Sequence, residues 1–260
     1  MSKYILPLLI AALFLIVPAC SIKEDRSSCP ALLELDMSRC EDCSRNVMVS
    51  VSGSGAGFRQ YYYPGISSTR PQFDVPKGVL RISAVTEPRH CIIDDMVLSI
   101  PEGTACDSLF AFYHQIDVVK DISMDSVILH KQFAVITLDL SGLPYCEEHC
   151  DFVISGNVSG INLIGLTPLE GPFDVRLKGE GKGIYSVSLP RQRDDTLRLD
   201  IYGADGLKSS YAIGSYLREA GFDWNAEDLA DATVILKTVE TDVSVLIRDW
   251  LTGSVIFVEI

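Results

Sequence analysis

Apolar and polar residues alternate with a period of two along much of the chain after residue 30. In one such stretch Val47, Val49 and Val51 alternate with Met48 and Ser50. Side chains of a strand point in turn to opposite faces of a sheet, so this period predicts half-buried strands. The same pattern predicts further strands at residues 80–84, 96–100, 111–118, 126–129, 133–140, 152–154, 175–177, 185–189, 197–201, 234–236, 243–247 and 255–258.

Turn-forming residues separate these strands, as in the glycine-rich run 53–57, at Pro64 and Gly65, and at residues 76–78. Strands that recur at intervals of roughly ten residues, with Gly and Pro between them, are typical of antiparallel β-sandwiches. The pattern therefore predicts a mainly β fold.

Helical periodicity is convincing in one segment, residues 213–220, which is followed by Gly221. Glycine is favoured just after the C-terminus of a helix. We therefore predict two tandem β-sandwich domains, residues 31–130 and 131–260, with one short helix in the second. No Pro/Gly-rich linker marks the boundary, which favours two closely abutted sandwiches.

The N-terminus has the order of residues found in a secretory signal. Lys3 precedes an apolar run over residues 4–17, and Ala19 and Cys20 follow it. The run is shorter than the roughly 20 apolar residues of a spanning helix and contains Pro7, so we predict a signal peptide at residues 1–19. Cys20 is then the predicted lipid attachment point, with an ordinary disulfide partner as the other interpretation. Residues 20–30 are predicted to be a polar tether.

Charge and composition limit the partners that the chain could have. The formal net charge is -13 and hydrophobic residues make up 47% of the sequence. No basic block offsets the negative charge, which argues against nucleic acid and against an anionic membrane surface as partners. Attachment to a membrane would therefore depend on lipid.

Eight cysteines suit an exported protein, in which thiols can oxidise. If Cys20 carries lipid, an odd number remains, so one cysteine at least stays reduced or pairs between chains. The candidates for disulfides are Cys29, Cys40, Cys43, Cys91, Cys106, Cys146 and Cys150. Short separations favour Cys91 with Cys106, Cys146 with Cys150, and Cys29 with Cys40 or Cys43, although spacing does not fix connectivity.

Zinc binding is an alternative for three of these cysteines together with His149. Cys40 and Cys43 have the two-residue gap that lets two side chains bind one tetrahedral metal ion, and so do Cys146 and His149. The two pairs lie in different predicted domains, and oxidation is favoured in an exported chain.

Catalytic groups do not converge in the sequence. Four histidines are scattered among predicted turns and strand ends, and the glycine runs at 53–57 and 179–183 lack the spacing of nucleotide-binding loops. We therefore expect no enzyme activity and no cofactor. Trp224 and Trp250 could pack in a core or form an exposed platform. The second interpretation makes a surface lipoprotein that binds glycan or nutrient the alternative function.

Several motifs, in this order, resemble those of the fimbrial anchor lipoproteins of Bacteroidales, the minor fimbrial subunits of type V pili. The motifs are Cys20, Lys-Glu-Asp-Arg at 23–26, Ser-Ser-Cys-Pro at 27–30, and the segments at 73–82, 222–225, 229–231 and 245–250. Residues 23–25 also resemble the acidic signal that sends some Bacteroidetes lipoproteins to the outer face of the outer membrane. The resemblance extends over nearly the whole chain after Cys20.

This resemblance implies a pair of transthyretin-like β-sandwich domains without enzyme activity. It implies a lipoprotein held in the outer membrane through Cys20 and exposed at the cell surface. Its partner would be the first stalk pilin of a fimbria, which serves in cell adhesion. Contact would be by strand addition, in which a strand of the neighbouring subunit completes an open sheet edge.

Overall fold

The computed structural model describes residues 29–40, 43–53, 56–143, 150–177, 183–237, 243–249 and 252–260. The fold is mainly β, as the alternating pattern predicts, and the nineteen strands found within these ranges form four sheets. The predicted signal peptide and Cys20 lie outside the described residues. Within the described ranges no helix has both the length and the hydrophobicity needed to cross a bilayer.

Two sheets are built from the first half of the chain. Sheet A has three strands in the order β4-β1-β9, namely β1 (Ala31–Asp36), β4 (Gln72–Val75) and β9 (Ile122–Ser126). Sheet B has the order β10-β8-β5-β2-β3, with β2 (Val47–Gly53), β3 (Ala56–Tyr62), β5 (Gly78–Thr86), β8 (Phe110–Val118) and β10 (His130–Lys131). A short 3-10 helix, Ser38–Cys40, leads from β1 towards β2.

Alternate apolar residues of the two sheets meet in one core. Leu33 and Leu35 of β1 and Val49 of β2 are buried there, together with Leu80 and Ile82 of β5. Burying a Leu or Ile side chain stabilises a fold by ~1.5–3 kcal/mol, so these positions hold sheet A against sheet B. The period of two places the intervening residues on the outer faces.

The second half of the chain builds most of two larger sheets. Sheet D has the order β14-β11-β17-β18-β19, with β11 (Phe133–Gly142), β14 (Ile184–Pro190), β17 (Asp231–Lys237), β18 (Val243–Arg248) and β19 (Val255–Glu259). Sheet C includes β12 (Asp151–Asn162), β13 (Thr167–Arg176), β15 (Arg198–Gly203) and β16 (Gly206–Tyr211). The helix α1 (Ile213–Glu219) buries Ile213 and Leu217 in the core of this half, and Gly221 follows with a φ of 84°, as predicted from the sequence.

A hairpin from the first half of the chain completes sheet C. Its strands are β6 (Ile92–Asp94) and β7 (Val97–Ser99), and β7 pairs antiparallel with β12 from Gly160 to Asn162. An added Cβ at Gly160 would lie 2.1 Å from the carbonyl oxygen of Leu98, so only glycine allows this close approach. The first half therefore contributes a structural element to sheet C, and the boundary near residue 130 remains a prediction.

The two halves also share a continuous hydrophobic core. Met48, Val85 and Ala111, on the outer face of sheet B, belong to the same buried cluster as Leu109 and Phe133. This cluster extends into the space between sheets C and D. The close abutment of the halves expected from the missing linker is thus present as shared apolar burial. The transthyretin-like arrangement of two domains remains a prediction.

One strand is displaced from its predicted position. The sequence pattern predicts a strand at 126–129, whereas β9 ends at Ser126. Val127 is fully buried, and its N–H donates to the carbonyl oxygen of Asp36. An apolar connection that enters the core therefore gives the same pattern as a short strand.

Candidate functional site

The open edge of sheet D is the surface whose geometry suggests an interaction. β19 pairs antiparallel with β18, and no described strand pairs with its other side. Ile260 N–H donates to the carbonyl oxygen of Val243 at 2.8 Å. Backbone direction alternates along a strand, so the N–H and C=O groups of Val255, Phe257 and Glu259 point away from β18. They form a row of donors and acceptors along the open edge.

The side chains of this strand are apolar and exposed. Val255, Ile256 and Phe257 keep 49%, 59% and 55% of their surface accessible. Edge strands usually discourage pairing through proline, lysine, a bulge or very short length. β19 contains no proline or lysine, and its pairing with β18 is regular over five residues. Apart from the charged Glu259 at its last position, the strand therefore lacks the features that protect a sheet edge.

Three of the other edges carry such protection. β13, at one side of β12, contains Pro168 and Pro172. At the opposite edge of sheet D, the N–H of Cys106 donates a hydrogen bond of 3.0 Å to the carbonyl oxygen of Ser188 on β14, so this outward acceptor is already paired. β16 contains Lys208 and its pairing with β15 has a register shift. The edge formed by β19 thus differs from these edges in chemistry as well as in position.

A second edge lies beside the first sandwich. β10 covers only the start of β8, at Phe110 and Ala111. Beyond that point the edge strands β8 and β9 of the two sheets are bridged by side chains. His114 Nδ1 lies 2.8 Å from Asp125 Oδ2, which links the two sheets across this side. The bridge makes this edge less open than that of β19.

A cleft of about 410 Å³ separates parts of the two halves. Arg191 lines it, but its guanidinium donates to the carbonyl oxygens of Trp224, Ala226 and Glu227. Burial lowers the pKa of Arg191, while the carboxylates of Asp223 and Asp228 oppose that shift. Since the guanidinium is occupied by main-chain acceptors, its evident role is to hold the loop after α1.

The histidine in the same cleft is also engaged. His130 Nε2 lies 3.1 Å from Glu227 Oε1, and its Nδ1 lies 3.1 Å from Asp228 Oδ2. His90, in contrast, lies exposed in the loop before β6. The histidines of the described residues are therefore dispersed, as the sequence predicts.

The predicted cysteine sites fall into three groups. Cys20 and Cys146 lie outside the described residues. Cys29 is exposed and Cys150 is half-buried. The remaining four occur as two neighbouring pairs, Cys40 with Cys43 and Cys91 with Cys106, in which one thiol shifts the pKa of another.

The disulfide pairings remain predictions, because none of the cysteines that the structure describes is joined in a disulfide. Cys40 lies at the end of the 3-10 helix, and its carbonyl oxygen accepts the N–H of Cys43 at 3.1 Å. The hydrogen bond from Cys43 and burial both raise the pKa of the Cys40 thiol. A thiol with a raised pKa is a weaker metal ligand, since zinc binds the thiolate.

The zinc alternative requires residues of both predicted domains. Cys146 and His149 lie outside the described residues. Among the residues that are described, no cluster of three or more His, Cys, Asp or Glu side chains could hold a metal ion. The zinc interpretation is therefore carried no further.

Trp224 does not form an exposed platform. Only 9% of its surface is accessible, and its ring packs on Phe222 with 4.6 Å between the ring centroids. The core-packing interpretation of Trp224 is thus the correct one, while Trp250 lies outside the described residues. Sequence reasoning did not rank β19 above the other strands, because its exposure depends on which strands flank it.

Comparison with known proteins finds solved structures with a similar fold. Neither a protein-family model nor a curated protein matches the sequence. Among solved structures, a candidate polysaccharide-binding protein from Bacteroides thetaiotaomicron matches with a TM-score of 0.64 at 11% identity, over 88% of this chain and 98% of that one. The fimbrial anchor protein Mfa2 from Porphyromonas gingivalis matches with a TM-score of 0.61 at 11% identity, over 88% of this chain and 99% of that one.

A third structure agrees with these two. A candidate adhesin from Bacteroides ovatus matches with a TM-score of 0.60 at 12% identity, over 89% of this chain and 96% of that one. Each alignment covers most of both chains, so the likeness extends over the whole fold rather than one sandwich. The chain therefore shares its fold with fimbrial anchor and candidate adhesin proteins of Porphyromonas and Bacteroides.

Proposed function

We propose that this protein is a non-enzymatic lipoprotein of the outer membrane that anchors a fimbria at the cell surface. The observation that carries the proposal is the open edge of β19, whose outward backbone groups are unpaired by any described strand. A strand of the first stalk pilin adds to this edge. The anchor then holds the fibre through its own sheet.

Strand addition suits this edge for a physical reason. Main-chain hydrogen bonds from the incoming strand satisfy the outward groups of Val255, Phe257 and Glu259, and they give affinity. The exposed side chains of Ile256 and Phe257 lie on opposite faces of the strand, so both faces gain apolar burial when a neighbour joins. Burying apolar surface contributes ~25 cal/mol per Å².

The membrane end of the proposal rests on Cys20. A lipid on this residue, after removal of residues 1–19, attaches the folded body through the tether that ends near residue 30. The net charge of -13 disfavours direct adsorption to an anionic surface, so the lipid supplies the attachment. The fold shared with a fimbrial anchor protein supports this role without identifying the pilin.

Three experiments test the proposal. Pull-down of the protein from outer membranes should recover a pilin, and deletion of its gene should release fibres into the medium. Pilin that stays bound to cells of the deletion strain would contradict the anchoring role. Metabolic labelling with a fatty acid should mark the wild-type protein and not a Cys20→Ala variant, which should also leave the membrane fraction.

Glycan binding is the weaker alternative. The first structure in the comparison is described as a candidate polysaccharide-binding protein, yet Trp224 of this chain is packed against Phe222. A glycan array measures this alternative directly. Binding that is lost in a Trp250→Ala variant, with no pilin recovered from membranes, would favour glycan binding over anchoring.

A further inference from the structure

Two buried cysteines lie at the ends of the segment that crosses between the halves. Cys91 directly precedes β6, and Cys106 lies between β7 and β8. The chain between them forms the hairpin of β6 and β7, which completes sheet C. Before and after this segment, β5 and β8 belong to sheet B and pair with each other. The two cysteines therefore stand at the base of the crossing segment.

Asp107 fixes the two sides of this base. Its Oδ2 accepts the backbone N–H groups of Arg89, His90 and Cys91 at 2.9, 2.8 and 2.8 Å. Since Asp107 follows Cys106 directly, its carboxylate holds the backbones of the two cysteines next to each other. The Cys91 and Cys106 side chains also belong to one buried cluster, and each thiol shifts the pKa of the other. Their approach thus depends on main-chain hydrogen bonds as well as on side-chain packing.

The two thiols differ in acidity. The hydrogen bond from Cys106 lowers the pKa of Cys91 against the opposing effect of burial. The same hydrogen bond and burial raise the pKa of Cys106. A thiolate, not a thiol, attacks a disulfide. Cys91 is therefore the nucleophile of the pair.

We propose that Cys91 and Cys106 form a disulfide bond that closes the base of the β6–β7 hairpin. The Cys91 thiolate attacks a disulfide of an oxidant, either an oxidoreductase or glutathione disulfide, and expels one thiolate. Cys106 then loses its proton and attacks the Cys91 sulfur of the mixed disulfide, expelling the second thiolate. Two protein thiols are oxidised, the oxidant disulfide is reduced to two thiols, and the two protons pass to the leaving thiolates.

The bond has a structural consequence for the junction of the two halves. β7 pairs with β12 over only three residues, so this ladder is short for an element that joins two sheets. Both cysteines are buried in the folded chain, so the exchange reaction requires the base of the hairpin to open locally to the oxidant. Once closed, the loop holds the two ends of the hairpin together, which limits the conformations available to it when its ladder with β12 opens. This inference does not depend on the fimbrial role.

Peptide mapping tests the bond in the full chain. The purified, reduced protein is refolded with glutathione disulfide, alkylated in denaturant and digested with trypsin and a glutamyl endopeptidase. Trypsin cleaves after Arg89 and Lys120, and the second enzyme cleaves after Glu102, between the two cysteines. We expect fragments 90–102 and 103–120 to remain joined until a reductant is added. Alkyl label on both cysteines, or either cysteine joined elsewhere, would overturn the proposal.

Hydrogen exchange provides a second measurement. In a Cys91→Ser/Cys106→Ser variant, the amides of β7 should exchange at least about tenfold faster than in the oxidised wild type, whereas those of β2 and β5 should be unchanged. Cys29→Ser, at an exposed cysteine, is the control and should match the wild type. Equal exchange of the β7 amides in the oxidised and reduced wild type would show that the hairpin gains nothing from a bond.

Discussion

The Nζ atom of Lys131 donates a hydrogen bond to Asp231 Oδ1 at 2.5 Å, which joins the junction of the two halves to the first residue of β17. Only 1% of the surface of Lys131 is accessible. The same carboxylate oxygen accepts the N–H of Val135 at 2.7 Å, and Nζ also donates to the carbonyl oxygen of Leu229. The ammonium group lies 4.7 Å from the centre of the Phe133 ring. Lys131 is therefore a buried, fully engaged charge.

We expect Lys131→Ala to destabilise the fold by ~1.5–3 kcal/mol, because the variant loses charge-assisted hydrogen bonds to Asp231, whose side chain is 34% accessible, and to the carbonyl oxygen of Leu229. Chemical denaturation measures this loss. Lys120→Ala is the control, since Lys120 is exposed and should change stability by less than ~0.5 kcal/mol. Similar losses in both variants would mean that the buried pair contributes little.

Asp107→Asn should weaken the hairpin base in a pH-dependent way. Burial alone would raise the pKa of Asp107, but hydrogen bonds from the backbone N–H groups of Cys91, His90 and Arg89 lower it overall. A lowered folded-state pKa gives stability that is present above the unfolded value of about 3.9 and is lost as the pH falls through the folded value. The stability difference between wild type and variant should therefore be largest near neutral pH and shrink below about pH 4. A difference that stays constant from pH 7 to pH 2 would contradict the assignment.

Gly160→Ala should loosen the contact between β7 and β12. The added Cβ would lie 2.1 Å from the carbonyl oxygen of Leu98, a backbone atom that cannot move without shifting β7. We expect a loss of ~2–3 kcal/mol in denaturant unfolding. Gly57→Ala is the control, because the nearest atom to its new Cβ is at 3.5 Å. If both variants had the same free energy of unfolding, the close approach at Gly160 would contribute nothing to stability.

Phe257→Pro should block strand addition without unfolding sheet D. Its N–H points to the open edge, so proline removes a donor to the partner while the ladder to β18 stays intact. Phe257→Ala removes the side chain and keeps that N–H. In pull-downs the proline variant should recover at least about tenfold less pilin than the alanine variant, a difference of ~1.4 kcal/mol. Equal recovery by the two variants, with normal circular dichroism, would show that the partner does not use this edge.

Reduction should destabilise the oxidised protein if Cys91 and Cys106 are bonded. A loop of about 15 residues closed by a disulfide contributes ~3 kcal/mol in the chain-entropy account. We expect the Cys91→Ser/Cys106→Ser variant to show a lower melting temperature than the oxidised wild type. Cys40 and Cys43 are replaced in both proteins, so that this second pair does not respond to reductant. The melting temperature of the Cys91→Ser/Cys106→Ser variant should then be the same with and without reductant. A wild type that melts at the same temperature with and without reductant would contradict this contribution.

The sequence alone was sufficient to predict the type and approximate position of many elements. The period of two around Val49 and Leu138 predicts strands that the structure contains, and both residues are buried as the pattern requires. The helix at Ile213 and its terminal Gly221 are also found. These features follow from local rules, because the direction of each side chain and the φ angle of a glycine depend on the adjacent backbone.

Only the tertiary structure decided which strands meet. The β6–β7 hairpin joins sheet C, β1 and β9 pair in parallel, and Asp107 binds the backbone of Cys91. Likewise Trp224 packs on Phe222, while Phe257 remains exposed on a strand whose sequence resembles that of any buried strand. Alternation specifies that a segment is a strand and which residues share a face, but it does not specify the neighbour. Pairing and edge exposure come from contacts between residues far apart in the chain, and these contacts determine where the chain is open to a partner.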